Sequence, residues 1–357
     1  MTRQSVYLDA NATEPLRPEA RGALLEALDT TGNSSSVHSA GRHVRHILEA
    51  ARKRLIERFG ADDLVFTSGG TEADALAIHG LGNGRRLLIG ATEHDAVRAV
   101  RPSQPIPVDA AGVIDLGALA AALDGPPALV CLMLANNETG TIQPVAEAAA
   151  LCRRHGALLH VDAVQAAGRM AFDLAALGAD SAAISSHKLG GPAGAGALLL
   201  APGRTVQPLI AGGGQERGRR GGTPPVAIIA GFAAAALQPP ADLAALRDRA
   251  EAAAIAAGAV VLGGAHRLGN TSCLALPGVA AQTQLIALDL AGVQVSAGAA
   301  CSSGKVARSH VLDAMGAGPL AGQAIRLSLP WNAVAADVAA FADAYGAMAA
   351  RASRRAA

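Results

Sequence analysis

The stretch Leu129-Val-Cys-Leu-Met-Leu134, followed by Val145-Ala-Glu-Ala-Ala-Ala-Leu-Cys-Arg-Arg-His155 and then Leu158-Leu-His-Val161, reads as strand, helix, strand. Both flanking runs are apolar on either face, so each is a buried strand, and the middle segment is long enough for a helical crossover. The alternation continues outward. Leu64–Phe66, Leu87–Ile89, Ala182–Ile184 and Ala197–Leu200 are further short apolar runs bounded by turn residues, with helical stretches at Glu72–His79 and Leu116–Leu123 between some of them. Such strands, interleaved with helices, indicate an α/β fold around a mostly parallel sheet covered on both sides.

Upstream, Val44, Ile47, Leu48, Ala51, Leu55 and Phe59 recur at helical spacing, and Gly60 stops that helix. Downstream, a proline turn at Gln238–Pro240 precedes an alanine-rich amphipathic helix over 242–257. The pattern then becomes less regular: strand-like pieces at Ser272–Leu276, Val293–Ser296 and Ile325–Ser328, and a closing helix after Asn332. This tail reads as a smaller α+β domain, and a chain of 357 residues is long enough to split in that way.

Basic and acidic residues nearly cancel, leaving a formal charge of +1, and no block of one sign offers a footprint for nucleic acid. No apolar run approaches the roughly 18 residues of a membrane span, so no membrane partner is expected. Residues 1–9 lack the apolar core of an export signal, and the expected location is the cytoplasm. The four cysteines, at 131, 152, 273 and 301, have no metal-ligand spacing, which suits a reducing compartment.

In an open parallel sheet, ligands sit beyond the carboxyl ends of the strands. The polar residues that follow the apolar runs are His94, Asn136, Asn137, Asp162, Gln165, Ser185, His187 and Lys188, and all are expected to converge on one edge. Thr67-Ser-Gly-Gly-Thr-Glu72 is a strand end with two glycines opening into a helix. Its free amides and the Thr71 hydroxyl suit a phosphate, though the same motif also serves as a plain helix start. Asp162 needs a cation or donor to offset its desolvation, or else caps the segment 163–167. Lys188, set in a turn of small residues, is either a solvated loop lysine or an amine poised to condense with an aldehyde. Together, an amine, a carboxylate and an anion cup are what pyridoxal phosphate demands.

These residues resemble the cysteine desulfurases of the NifS/IscS type, within the class V aminotransferase family, and the resemblance runs nearly end to end. It is carried by Tyr7-Leu-Asp-Ala-Asn-Ala-Thr13, Gly32-Asn33-Ser-Ser, Thr67–Glu72, Glu93-His94, Asn136-Asn-Glu-Thr-Gly140, His160-Val-Asp-Ala-Val-Gln165, Ser186-His-Lys188, Gly212-Gly-Gly-Gln-Glu-Arg-Gly218 and Ala300-Cys-Ser-Ser303. It implies the pyridoxal-phosphate-dependent transferase fold type I, with a large domain over 13–240 and a small one built from 1–12 and 241–357 that carries the Cys301 loop.

The resemblance also implies roles for individual residues. Lys188 would hold pyridoxal phosphate covalently, His94 would stack on its ring and move protons, and Asp162 would pair with the pyridinium. Gln165 would meet the phenolic oxygen, and Asn137 would lie beside the ring. Gly70, Thr71, Ser185 and His187 would form the phosphate cup, joined by Thr223 from the neighbouring subunit of a homodimer. Arg326 would fork onto the carboxylate of L-cysteine, with Asn11 and Asn33 nearby. Cys301, among Gly298, Ala299, Ala300, Ser302, Ser303 and Gly304, would take the sulfur as a persulfide and pass it to an acceptor or iron–sulfur scaffold protein. No metal site is expected beyond Cys301 as a transient iron–sulfur ligand. Selenocysteine cleavage, another class V reaction and a non-catalytic docking role are the alternatives. Gly69-Gly70 and Gly221-Gly222 depart from the commoner Gly-Ala and Ser-Gly, and Pro330-Trp331-Asn332 stands where many members carry Gly-Arg.

Overall fold

The apolar runs assemble side by side. In the computed structural model, which describes residues 5–298 and 308–356, the N-terminal part comprises β1 (Val6–Tyr7), α1 (Pro18–Leu28), α2 (Ser39–Phe59), β2 (Asp63–Thr67), α3 (Gly70–Leu81), β3 (Arg86–Gly90), α4 (Asp95–Arg98) and β4 (Gln104–Ile106). There follow α5 (Leu116–Leu123), β5 (Ala128–Met133), α6 (Val145–Arg154), β6 (Leu158–Asp162), α7 (Leu174–Leu177), β7 (Ser181–Ser185), β8 (Gly196–Leu200) and α8 (Val226–Ala236). The remainder is α9 (Ala244–Ala256), β9 (Val260–Leu262), β10 (Thr271–Ala275), α10 (Ala281–Leu290), β11 (Val293–Gln294), α11 (His310–Ala314), β12 (Ala324–Ser328) and α12 (Ala335–Ala356).

A seven-stranded sheet runs in the order β2-β8-β7-β6-β5-β3-β4. Only β8 is antiparallel to its neighbours, β2 and β7, so β2 points the same way as the rest. That topology brings the carboxyl ends of β2, β3, β5, β6 and β7 to one edge. The short edge strand β4, with Pro105 at its centre, was not apparent from the sequence, because three residues containing a proline show no period. The long helix α2 ends as expected, at Gly60 in the left-handed conformation (φ 64°).

The two largest apolar clusters lie in different parts of the chain. One lies around the large sheet, with Leu55, Phe59, Leu88, Val130, Val161, Leu199 and Phe232 buried in it. The other gathers Leu8, Leu274, Leu288, Ile325, Leu327, Phe341 and Tyr345 between the antiparallel sheet β12-β10-β9 and the helices α9, α10 and α12. The N-terminal strand β1 pairs with β11, beside this second core. Where Val293–Ser296 was expected as one strand, β11 ends at Gln294, and Ser296 makes only an isolated bridge to Arg326.

Candidate functional site

The strand ends deliver their polar residues to a single cavity that opens to solvent. Gly70, Thr71 and Asp74 reach it from α3, His94 from the start of α4, and Asn137 from the loop after β5. Asp162, Val164 and Gln165 come from the end of β6, and Ser185, His187 and Lys188 from the end of β7.

Lys188 occupies the turn that links β7 to the antiparallel β8. Its ammonium donates to the carbonyls of Asn11 (2.7 Å) and Ala12 (2.9 Å). Burial, helped by the charges of Arg326 and Arg169, pulls its pKa down to about 8, so a free amine is accessible near neutral pH. Asp162 stands on the same edge. Its Oδ1 accepts from the amide of Val164 at 2.9 Å, so it does cap the following turn; among the described residues no hydrogen bond claims Oδ2. Burial, with Asp74 nearby, raises this carboxyl to about 7. A cation placed against Oδ2 would restore its charge.

Beneath Asp162 lies a polar cluster that the sequence reading missed. His160, two residues earlier on the same face of β6, contacts Asp74 Oδ1 through Nε2 (3.0 Å) and Ser181 Oγ through Nδ1 (2.8 Å). Burial lowers His160 to about 4, keeping it neutral, and pushes Asp74 and Glu93 well above the carboxylate range. Asp74 was detectable in principle: it interrupts the buried stripe of Ala73, Leu76 and Ala77 on α3, where an acid needs a reason.

At the other end of the cavity, α3 begins without an N-cap side chain, leaving its first amides free at Gly70 and Thr71. Ser185 Oγ is buried there with no partner. Gly70 has a local reason for being glycine: a Cβ would lie 2.6 Å from Val164 Cγ2. His187 contacts Thr13 Oγ1 at 3.2 Å and is lowered to about 4 by burial and by Lys188, so it is neutral at pH 7. His94 caps α4 by accepting the Ala96 amide at Nδ1 (3.1 Å), which leaves Nε2 as the ring nitrogen that carries a proton.

Not every expected residue comes to the cavity. Asn136 turns inward, its Oδ1 accepting from the amides of Glu138 and Thr139, which corrects the expectation that it converges with Asn137. Asn11 is buried with its side chain already committed to Asn137 O, Thr271 Oγ1 and Asn270 Nδ2; it meets the site through its backbone carbonyl. Asn33 is exposed and holds the Ser35 amide, and Thr223 is exposed outside the cavity. Arg326 is buried, gripping Asp9 at 2.6 Å and the Asn137 carbonyl at 3.2 Å, with Nε left without a partner. Cys301 lies outside the described residues. The other three cysteines are buried as expected, and burial raises their thiols. Trp331 does not line the cavity: its amide donates to Glu14, its indole to Pro15 O, and Arg17 lies 4.9 Å above its ring.

A lone amine, an uncommitted carboxylate oxygen and an unpartnered hydroxyl at a bare helix start fit pyridoxal phosphate at its aldehyde, its ring nitrogen and its phosphate. The sequence profile of the aminotransferase class-V family matches residues 6–341. This chain belongs to that family. Among class-V relatives, a cysteine desulfurase of Cereibacter sphaeroides is 43% identical over 360 residues, covering 94% of this chain and 93% of that protein. An IscS-like cysteine desulfurase of Mycobacterium tuberculosis is 38% identical, with 98% of each chain covered. The X-ray structure of a NifS-like protein from Rickettsia africae superposes with a TM-score of 0.89 at 32% identity, over 97% of this chain and 99% of that one. As a class-V member of this type, the chain is a pyridoxal-phosphate enzyme.

Proposed function

We propose that this chain is a cysteine desulfurase: it breaks the carbon–sulfur bond of L-cysteine, releases L-alanine, and moves the sulfur onto the thiol of Cys301. Free cysteine and one protein thiol become alanine and one persulfide, so the sulfur changes hands without an external oxidant. The observation that carries the reading is the convergence of Lys188, Asp162 and the start of α3 on one cavity, and it agrees with the names of the relatives.

Within that cavity Asp162 would hold the ring nitrogen, Gln165 the phenolic oxygen, and Gly70, Thr71, Ser185 and His187 the phosphate. His94 would cover the ring, and Asn137 would flank it. When bound, pyridoxal phosphate supplies an electron sink for the substrate's α-carbon. Lys188, with an amine free above about pH 8, takes and returns the proton at that carbon, and His94 Nε2 serves the same proton path. Arg326 binds the substrate carboxylate once it is freed from Asp9; Asn11 contributes its backbone carbonyl, and Asn33 would join only by moving in from the exposed segment before α2. Thr223 completes the phosphate cup of a second copy in a homodimer. A division into a large domain over 13–240 and a small one of 1–12 and 241–357, the range that includes Cys301, is supported by the separate clustering of Leu8, Leu274, Ile325 and Phe341. The persulfide serves iron–sulfur cluster or thio-cofactor assembly through a cytoplasmic acceptor protein; among the described residues no helix is long and apolar enough to cross a membrane.

The test is incubation of the purified, cofactor-loaded protein with L-cysteine, followed by intact mass and peptide mapping. One added sulfur on the Cys301 peptide, with alanine formed in step, supports the reading. Amino-group transfer to a keto acid with no sulfur on the protein overturns it.

A further inference from the structure

Gln165 is held from behind. Its Oε1 accepts from Nη1 of Arg169 at 3.0 Å, and the same nitrogen reaches the Gln165 backbone carbonyl at 3.1 Å. The other fork nitrogen, Nη2, donates to Ala10 O at 2.9 Å and reaches Glu14 Oε1 at 3.4 Å. Both ionic side chains are shut away from water, Arg169 at 4% and Glu14 at 6% exposure. Glu14 is tethered in turn by its other oxygen, which accepts the amide of Trp331 at 3.2 Å. Trp331 follows β12, the strand that carries Arg326. A continuous polar chain therefore runs from the end of β12 through Glu14 and Arg169 to the cavity wall.

A side-chain amide can present either its oxygen or its nitrogen, and which one faces a ligand decides whether it accepts or donates. A guanidinium has donors only, so it claims the oxygen of Gln165 and turns the nitrogen the other way. That nitrogen donates at 3.1 Å to the Asn11 carbonyl, the same acceptor that takes Lys188 Nζ at 2.7 Å. The donor end of Gln165 is thus fixed beside the lysine.

We propose that Arg169, braced by Glu14, is a positioning residue that locks Gln165 with its amide donor, and not its carbonyl, toward the phenolic oxygen of pyridoxal phosphate. This rests on the assignment of the cavity to that cofactor. A fixed donor at the phenolic oxygen withdraws electron density from the neighbouring linkage to Lys188 and lowers the affinity of that linkage for a proton. The charges facing Lys188 are Arg326 and Arg169, which oppose its protonation, and Asp162 and Asp9, which favour it. Arg169 therefore acts both through Gln165 and through its own charge, and the two contributions are separable.

The experiment is an optical pH titration of the Lys188–cofactor linkage in the loaded enzyme, for the parent, Arg169→Met, Arg169→Lys, Gln165→Met and the Arg169→Lys/Gln165→Met double variant. Arg169→Met loses clamp and charge, and its midpoint rises by about one pH unit, a tenfold gain in proton affinity. Arg169→Lys keeps the charge but cannot reach Gln165 and Glu14 together, so its midpoint rises by a smaller amount, and that rise vanishes in the Gln165→Met background. Arg169→Lys titrating with the parent overturns the proposal, because charge alone would then account for Arg169. If Arg169→Met does not fold, the lysine variant and its double still decide. Borohydride reduction and peptide mapping keep the two readings apart. An adduct at Lys188 with unshifted midpoints sinks the role of Arg169 and leaves the cavity assignment standing, whereas no adduct in the parent overturns both.

Discussion

Lys188 Nζ and the backbone carbonyl of Asn11 lie 2.7 Å apart across 177 positions of sequence, and this contact ties the N-terminal segment to the turn after β7. The carbonyl holds the ammonium where an aldehyde would meet it, while burial and two nearby arginines weaken its hold on the proton. The amine is both positioned and primed.

Capture of pyridoxal phosphate by the cofactor-free protein should therefore quicken as pH rises through about 8, where Lys188 gives up its proton. Stopped-flow absorbance across pH 6.5–9.5, roughly the span over which such a group titrates, checks this. Lys188→Ala should retain the cofactor weakly and yield no borohydride adduct.

Asp162 carries the opposite stress. Its carboxyl is raised to about 7 in the folded protein, against about 3.9 in an unfolded chain. The folded state thus binds the extra proton between those values, and stability falls as pH rises through that window. Cofactor-free Asp162→Asn keeps the acceptor for Val164 and sheds the charge, so it should exceed the parent in stability by about 2–4 kcal/mol at pH 8. The gap should close toward pH 4. Urea unfolding at the two pH values measures it, and an Asn variant less stable than the parent at pH 8 would refute the assignment.

The loop leading to Thr223 is anchored by a buried ion pair. Arg52 meets both oxygens of Glu216, at 2.9 and 2.8 Å, and Glu216 also accepts the Phe66 amide from β2. Glu216 and Arg217 adopt left-handed backbone conformations (φ 50° and 57°), which non-glycine residues avoid unless held. Glu216→Ala leaves the buried Arg52 guanidinium with only Glu49, at 3.1 Å, and the Leu64 carbonyl, and it should destabilise the fold by about 2–3 kcal/mol. Thermal and urea unfolding check this, and a loss under about 1 kcal/mol would show that the pair is not what holds the loop.

Replacing Cys301 by Ser should leave Lys188 able to hold the cofactor yet lower sulfur transfer from L-cysteine by roughly 100-fold or more, with no persulfide on the protein. Alanine at Cys131, Cys152 or Cys273 should leave the persulfide untouched, since all three are buried with raised thiol pKa values. Mass spectrometry after one round of cysteine addition separates the two cases.

Much of the site was legible along the chain because a parallel sheet is a sorting device. An apolar run sets the strand, and whatever polar residue ends it lands on the ligand edge. His94, Asn137, Asp162, Ser185 and Lys188 were all found that way. The rule fails where two candidates stand side by side: Asn136 and Asn137 are equivalent in sequence, yet one folds inward onto the Thr139 turn and the other faces the cavity.

By itself, then, the sequence determined the main strands of the large sheet and the helices between several of them, the edge on which the cavity opens, and the amine, acid and bare helix start gathered there. These follow from local period and from the direction of parallel strands. Only the tertiary structure decided that Asp74 lies beneath Asp162, that the amide of Asn11 is spent internally, and that Arg169 stands behind Gln165. The reason is physical: desolvation, charge coupling and hydrogen bonds act over a few ångströms of space and take no account of separation along the chain.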